Sequence, residues 1–264
     1  MKYGAMNFPI KPLLQEIEEI GELGFDYVEL TMDLPEASPQ KIRAQKRSIQ
    51  DLLSRYQMGV TGHLPTFLWT SDLYESLRKA SLEENFSALE VAAELGIKKM
   101  VLHPGYITGM GKFVIDRAKR YGLESIEAIL KKATDLGVTL CLENMFPQAN
   151  FLTDPHEFQE IFDRFSEVRL ALDIGHAHLG GDRNRAIEFI RSYGYRIGHV
   201  HANDNFGKED NHLPIGAGLI DFEKILKALK ETPYDDTLTL EVFSRDRDYL
   251  RISKEKIQKI WESL

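Results

Sequence analysis

The sequence predicts a single (β/α)8 TIM barrel over residues 1–264. Strand-like and helix-like segments alternate from end to end, and eight such pairs can be counted. Six of the strand-like segments end in His, Asp or Glu: VTGHL at His63, MVLHPG at His103, TLCLE at Glu143, RLALD at Asp173, GHVHAND at His201 and LTLEV at Glu241. Parallel strands present reactive side chains at their carboxyl ends, so these residues can share one small volume only if the strands close into a ring.

The strands are drawn at 2–6, 27–30, 59–63, 99–103, 139–143, 169–173, 197–201 and 237–242. Several are short apolar runs, as expected of strands covered on both faces. Between them, Leu82, Phe86, Leu89 and Ala93, and then Ile126, Ile129, Leu130 and Ala133, recur at three-and-four spacing and predict helical faces laid on the barrel. Gly24, Gly96 and Gly137 stand where a helix must stop before the next strand, a place suited to the left-handed conformation.

A chain of 264 residues with 43% hydrophobic side chains suits one barrel of ~250 residues. The formal charge of -8 provides no overall field for nucleic acid, which disfavours a DNA partner without excluding one. No apolar run approaches the ~20 residues that span a bilayer, and the start MKYGAMNFPIKP lacks a secretory apolar segment. The expectation is a cytoplasmic protein with no membrane partner; a homo-oligomer stays open. One cysteine, Cys141, leaves His, Asp and Glu as the metal ligands.

Asp, Glu and His make up about a fifth of the chain, so their appearance at all six of these strand ends exceeds chance. His176 follows Asp173 closely, and Asp210 and His212 lie in the loop after His201. Nine candidates exceed the ~4 to 5 ligands of zinc or the ~6 of magnesium or manganese. Either several ions bind, or some of the nine bind substrate.

The segments GHLP, LHPG, LENM, ALDIGHAH, HVHANDN, DNH with PIGAG, and LEV resemble the xylose-isomerase-like barrel superfamily, which includes sugar and sugar-phosphate isomerases and epimerases and endonuclease IV. In the epimerase branch the resemblance implies one divalent ion held by Glu143, Asp173, His201 and Glu241, with His176 on the substrate. That branch usually has an Arg where this chain has Asp210-Asn211-His212. In the endonuclease IV branch it implies three zinc ions on all nine residues: His63, His103, Glu143, Asp173, His176, His201, Asp210, His212 and Glu241. Against the nuclease, GFDYVELTMD with Glu29 and NMFPQANF look like the isomerases, LPTFLWTSD offers no basic residue, and TMDLPEAS and GKEDN are acidic.

The expected activity is therefore a divalent-metal-dependent isomerase or epimerase of a sugar or sugar phosphate, with one to three ions of Zn, Mn, Mg or Co. Glu143 and Glu241 would move a proton next to a carbonyl through a metal-stabilised enediolate. His63, His103, His176, Trp69 and Lys208 are the candidate substrate contacts. The alternative is an endonuclease IV-like zinc phosphodiesterase acting at abasic DNA sites; a non-catalytic sugar-sensing barrel is a third reading.

Weaker features each have a plain reading beside the functional one. Pro214-x-Gly216-x-Gly218 offers a phosphate cradle or only a tight turn. Arg183, Arg185, Lys208, Arg245 and Arg247 offer phosphoryl partners or solvated loop charges. Trp69, Tyr106 and Phe146 could stack on a ring or close the barrel top. Asp221 suits a helix cap, Cys141 a small buried hydrophobe, and His199 a partner orienting a ligand. His156 and His178 read as surface or loop residues.

Overall fold

The computed structural model describes residues 1–181 and 184–264, so Arg183 lies outside the described residues. Eight parallel strands close a barrel in chain order: β1 (Lys2–Met6), β2 (Tyr27–Thr31), β3 (Gly59–His63), β4 (Lys99–Leu102), β5 (Thr139–Glu143), β6 (Arg169–Asp173), β7 (Ile197–Ala202) and β8 (Thr237–Leu240). The ring closes between β1 and β8, where Lys2 pairs with Thr237 and Ala5 with Leu240. β4 and β8 stop short of the expected ends, which leaves His103 and Glu241 on the first residue past the ladder.

The covering helices are α1 (Leu13–Glu22), α2 (Pro39–Ala44), α3 (Lys46–Tyr56), α4 (Glu75–Leu95), α5 (Ile115–Asp135), α6 (Phe158–Arg164), α7 (Ala186–Tyr193), α8 (Phe222–Lys230) and α9 (Asp248–Ser263). The chain leaves α1, α4 and α5 through Gly24, Gly96 and Gly137, whose φ angles of +69°, +82° and +68° admit little but glycine. Asp221 accepts a hydrogen bond from the Lys224 N–H and caps α8.

Strand residues that point outward, among them Val28, Leu142, Leu172 and Val200, are buried against the helices. The expected α5 stripe of Ile126, Ile129, Leu130 and Ala133 is buried. On α4 the buried face is turned from the expected one and runs through Asn85, Ala88, Leu89, Ala92 and Leu95, while Leu82 and Phe86 are only partly buried. Small Ala88 and Ala92 let this helix lie close to the barrel, with α2 and α5 on its flanks.

The barrel interior has an apolar side and a polar side. Val101, Cys141 and Ala171 form a small apolar cluster of their own. Tyr27, Glu29, His199 and Thr239 form a buried hydrogen-bonded group, with Tyr27 Oη 2.8 Å from Thr239 Oγ1. Gly4 makes room for it, since a Cβ there would stand 2.2 Å from the Tyr27 ring. Among the described residues, no helix is long and apolar enough to cross a membrane.

Candidate metal centre

All nine ligand candidates converge at the carboxyl ends of the strands. Glu143 stands at their centre, with Oε2 3.3 Å from His63 Nε2 and 3.0 Å from His103 Nε2. Its Oε1 lies 3.1 Å from His201 Nδ1 and 3.4 Å from His176 Nδ1. His201 Nδ1 is also 3.2 Å from Glu241 Oε1 and 3.9 Å from Asp173 Oδ2. At the outer edge, Asp210 Oδ2 lies 3.3 Å from His176 Nε2 and 3.0 Å from His212 Nε2. His63–His103–Glu143, Glu143–Asp173–His176 and Asp173–His201–Glu241 are each compact enough to grip one cation.

Each of the five histidines has one ring nitrogen in contact with a protein group beside the cluster while the other faces a cluster carboxylate; on His176 the nitrogen so engaged also lies near Glu143, and the other faces Asp210. His63 Nδ1 is 2.6 Å from Leu64 O, His176 Nδ1 is 3.0 Å from Asn144 O and His212 Nδ1 is 3.1 Å from Glu241 O. His103 Nδ1 is 3.1 Å from Tyr106 Oη, and His201 Nε2 is 3.1 Å from Glu29 Oε1. Such outer contacts fix tautomer and ring direction in metal sites. Asp173 Oδ2 and Asp210 Oδ1 are buried without a hydrogen-bond partner. Orphaned carboxylate oxygens amid imidazole nitrogens fit a divalent cation, which would supply the missing partner.

The electrostatics are those of crowded acids in a dry site. Burial pushes the Asp173 carboxyl up to about 7, with Glu241 and Glu143 adding to the shift against the pull of His176. Burial also acts to raise Glu143, but His103 and His201 outweigh it and hold that carboxyl well below the usual range. Desolvation opposes charge on His201 and His176, yet their carboxylate neighbours carry both well above the ordinary histidine value.

Glu29 is the residue whose role the sequence did not disclose. Its Oε2 takes hydrogen bonds from His199 Nε2 at 2.7 Å and Thr239 Oγ1 at 2.5 Å, while Oε1 faces His201. His199 is thus linked to the candidate ligand His201 through Glu29. A single carboxylate inside the strand YVELT was the available signal, because a buried charge needs a partner.

A cavity of about 720 Å³ opens above the cluster, and His63, His103, His176, Asp210, His212 and Glu241 reach its wall. Glu143, Asp173 and His201 lie beneath it, fully buried. Tyr106 and Phe146 line the cavity; Trp69 and Lys208 do not, and Phe67 occupies the place expected of Trp69. Lys208 is exposed on its loop, away from the cavity wall.

The remaining expected phosphate partners are otherwise engaged or elsewhere. Asp204 fills the Gly216–Gly218 turn: its Oδ2 accepts both glycine N–H groups at 2.9 Å, so the turn is no phosphate cradle. Arg185 is bound to Asp154 and to backbone carbonyls, Arg247 to Glu16 and Glu19, and Arg245 is exposed.

A closed parallel barrel with a His and carboxylate cluster at its carboxyl mouth defines a class of barrels with a candidate metal site on that face. The chain belongs to the xylose isomerase-like TIM barrel family, whose model matches residues 17–262. It is 32% identical to the uncharacterized protein MJ1311 of Methanocaldococcus jannaschii over 97% of this chain and 92% of that protein. The solved structure of a D-tagatose 3-epimerase-like protein superposes with a TM-score of 0.84 at 30% identity, covering 100% of this chain and 98% of the other. A probable endonuclease 4 of Mesomycoplasma hyopneumoniae is 30% identical over 60% of this chain and 65% of that protein. Other relatives and fold neighbours bear the names of sugar epimerases and isomerases.

Proposed function

We propose that the protein is a divalent-metal-dependent isomerase or epimerase acting on a sugar. The observation that carries this reading is the carboxylate-and-imidazole cluster at the floor of a cavity of small-molecule size. Glu143, Asp173, His201 and Glu241 would hold the principal ion, which when bound supplies Lewis-acid polarisation of a carbonyl or hydroxyl oxygen. Glu241, on the cavity wall, is the carboxylate best placed to take a proton from the carbon next to that carbonyl. Glu143, held ionised by its imidazoles, is the second proton-handling group and sits just below. His63, His103 and His176 would orient hydroxyl groups from the wall, and the dry surroundings keep water from competing for the proton.

The test is solvent exchange. Metal-loaded protein incubated in D2O with a panel of ketoses should place deuterium on the carbon next to the carbonyl, and Glu241→Gln should abolish it. No exchange with any ketose, together with incision of an abasic-site duplex, would overturn the assignment.

The second reading, a zinc phosphodiesterase, is favoured by one observation: His176, Asp210 and His212 also meet, so the full nine-residue set is assembled. It ranks below the first because, among the described residues, no Lys or Arg lines the cavity, whereas binding a duplex rests on contacts to phosphates.

A further inference from the structure

The cavity is larger and more apolar than a simple sugar requires. At about 720 Å³ it falls within the ~300–1,000 Å³ of sites for drug-sized molecules, well beyond a ketohexose of about a dozen heavy atoms. Its inner end is the imidazole–carboxylate cluster. Its outer wall is Phe8, Ile10, Leu34 and Phe67, among others, and Phe8 stacks on Phe243 with ring centroids 4.9 Å apart.

That wall is open to solvent at the rim: Ile10 is 61% exposed, Leu34 75% and Phe67 74%. Large apolar side chains gathered around a mouth mark a place where something apolar is covered. The lining carries four carboxylates, Asp33, Glu84, Asp210 and Glu241, and among the described residues no Lys or Arg joins them. Asp33 is already spent on Thr31 and Thr66, whose hydroxyls it accepts at 2.9 and 2.7 Å. A phosphorylated ligand would meet these carboxylates with no Lys or Arg to offset them, since the wall imidazoles His176 and His212 are both turned to Asp210 Oδ2, at 3.3 and 3.0 Å.

We infer that this site takes an uncharged ligand with two unlike ends: a hydroxy-carbonyl end at the cluster and an aryl-sized apolar group against Phe8, Leu34 and Phe67. The inference rests on the metal-centre reading above and narrows its substrate class to non-phosphorylated molecules that carry an apolar substituent. The depth of the cavity places the two ends together, since the cluster forms its floor and the apolar residues its mouth.

Cobalt-loaded protein should be titrated with three probes sharing one chelating group: acetohydroxamate, benzohydroxamate and phosphonoacetohydroxamate. Benzohydroxamate should bind about tenfold tighter than acetohydroxamate or better, and the phosphonate no tighter than acetohydroxamate. Phe67→Ala and Leu34→Asp should erase the phenyl advantage while leaving cobalt content and Tm unchanged, as their exposure permits. Equal binding of the phenyl and methyl probes, or tightest binding of the phosphonate, would overturn the inference while leaving the metal centre standing. A concentration-dependent dimer broken by Leu34→Asp, without any phenyl advantage, would assign the wall to a second copy of the chain and equally overturn it. Absence of any cobalt-dependent binding would overturn the metal-centre reading, and this inference with it.

Discussion

Glu29 and His201 are joined across the floor of the site: Glu29 Oε1 lies 3.1 Å from His201 Nε2, while the other nitrogen of the same ring faces Glu143 and Glu241. The carboxylate holds the imidazole in place, and on an imidazole bound to a metal such a contact raises basicity as a ligand. Glu29→Gln should therefore lower divalent-metal affinity by about 10- to 100-fold with the fold retained. Competition against a calibrated chelator reads this directly, and unchanged affinity would show that His201 needs no such support.

Metal uptake should release protons. His176 and His201 hold protons well above the ordinary histidine range, and His212 is pushed up to about 9, where Asp210 and Glu241 outweigh burial. A ligating imidazole must be neutral, so binding competes with these protons and affinity should rise with pH across the neutral range. Calorimetry in buffers of different ionisation enthalpy should show net proton release near neutral pH. A pH-independent affinity would contradict it.

His103 discriminates between one ion and several. It contacts Glu143 Oε2 together with His63 and forms a compact group with those two, apart from the group of Asp173, His201 and Glu241. With one principal ion, His103→Asn leaves one metal per chain by elemental analysis and changes substrate binding. Loss of one ion from a larger number would support the multi-zinc reading.

Asp204 holds the loop that delivers Asp210 and His212. Its carboxylate accepts N–H groups of Asn205, Gly216, Gly218 and Ile220, and its backbone exchanges two hydrogen bonds with Leu213. Asp204→Ala orphans several buried donors and should cost roughly 3 kcal/mol or more, measured by urea unfolding. A variant within about 0.5 kcal/mol of the parent would show that water replaces the carboxylate.

Cys141 should be inert in the folded protein. Burial pushes its thiol up to about 12, so almost no thiolate exists at pH 8. Iodoacetamide should modify it only after unfolding; rapid alkylation of native protein would mean that the barrel interior opens.

The strand ends were legible because two independent patterns fall on the same residues: a short apolar run and a single ligand-type side chain closing it. His63, Glu143 and Asp173 end their strands as expected, and Cys141 is buried on the inner face beneath Glu143. The α4 face was read less well, because Leu82 and Phe86 carry the hydrophobic signal while small Ala88 and Ala92 make the close contact. Periodicity weights size, whereas packing weights fit. The Gly216–Gly218 turn misled for a related reason: spacing shows free N–H groups but cannot show that Asp204, 12 and 14 residues away, has taken them.

By itself the sequence determined that eight strands alternate with helices and that His, Asp and Glu stand at their ends, because hydrophobic period and strand termini are local properties of the chain. Only the tertiary structure decided which nitrogen of each imidazole faces the cluster, that Glu29 supports His201 from below, and that Phe67 rather than Trp69 lines the cavity. Those facts depend on side-chain directions and on contacts between residues as far as 172 positions apart, which closing the ring fixes and no local pattern encodes.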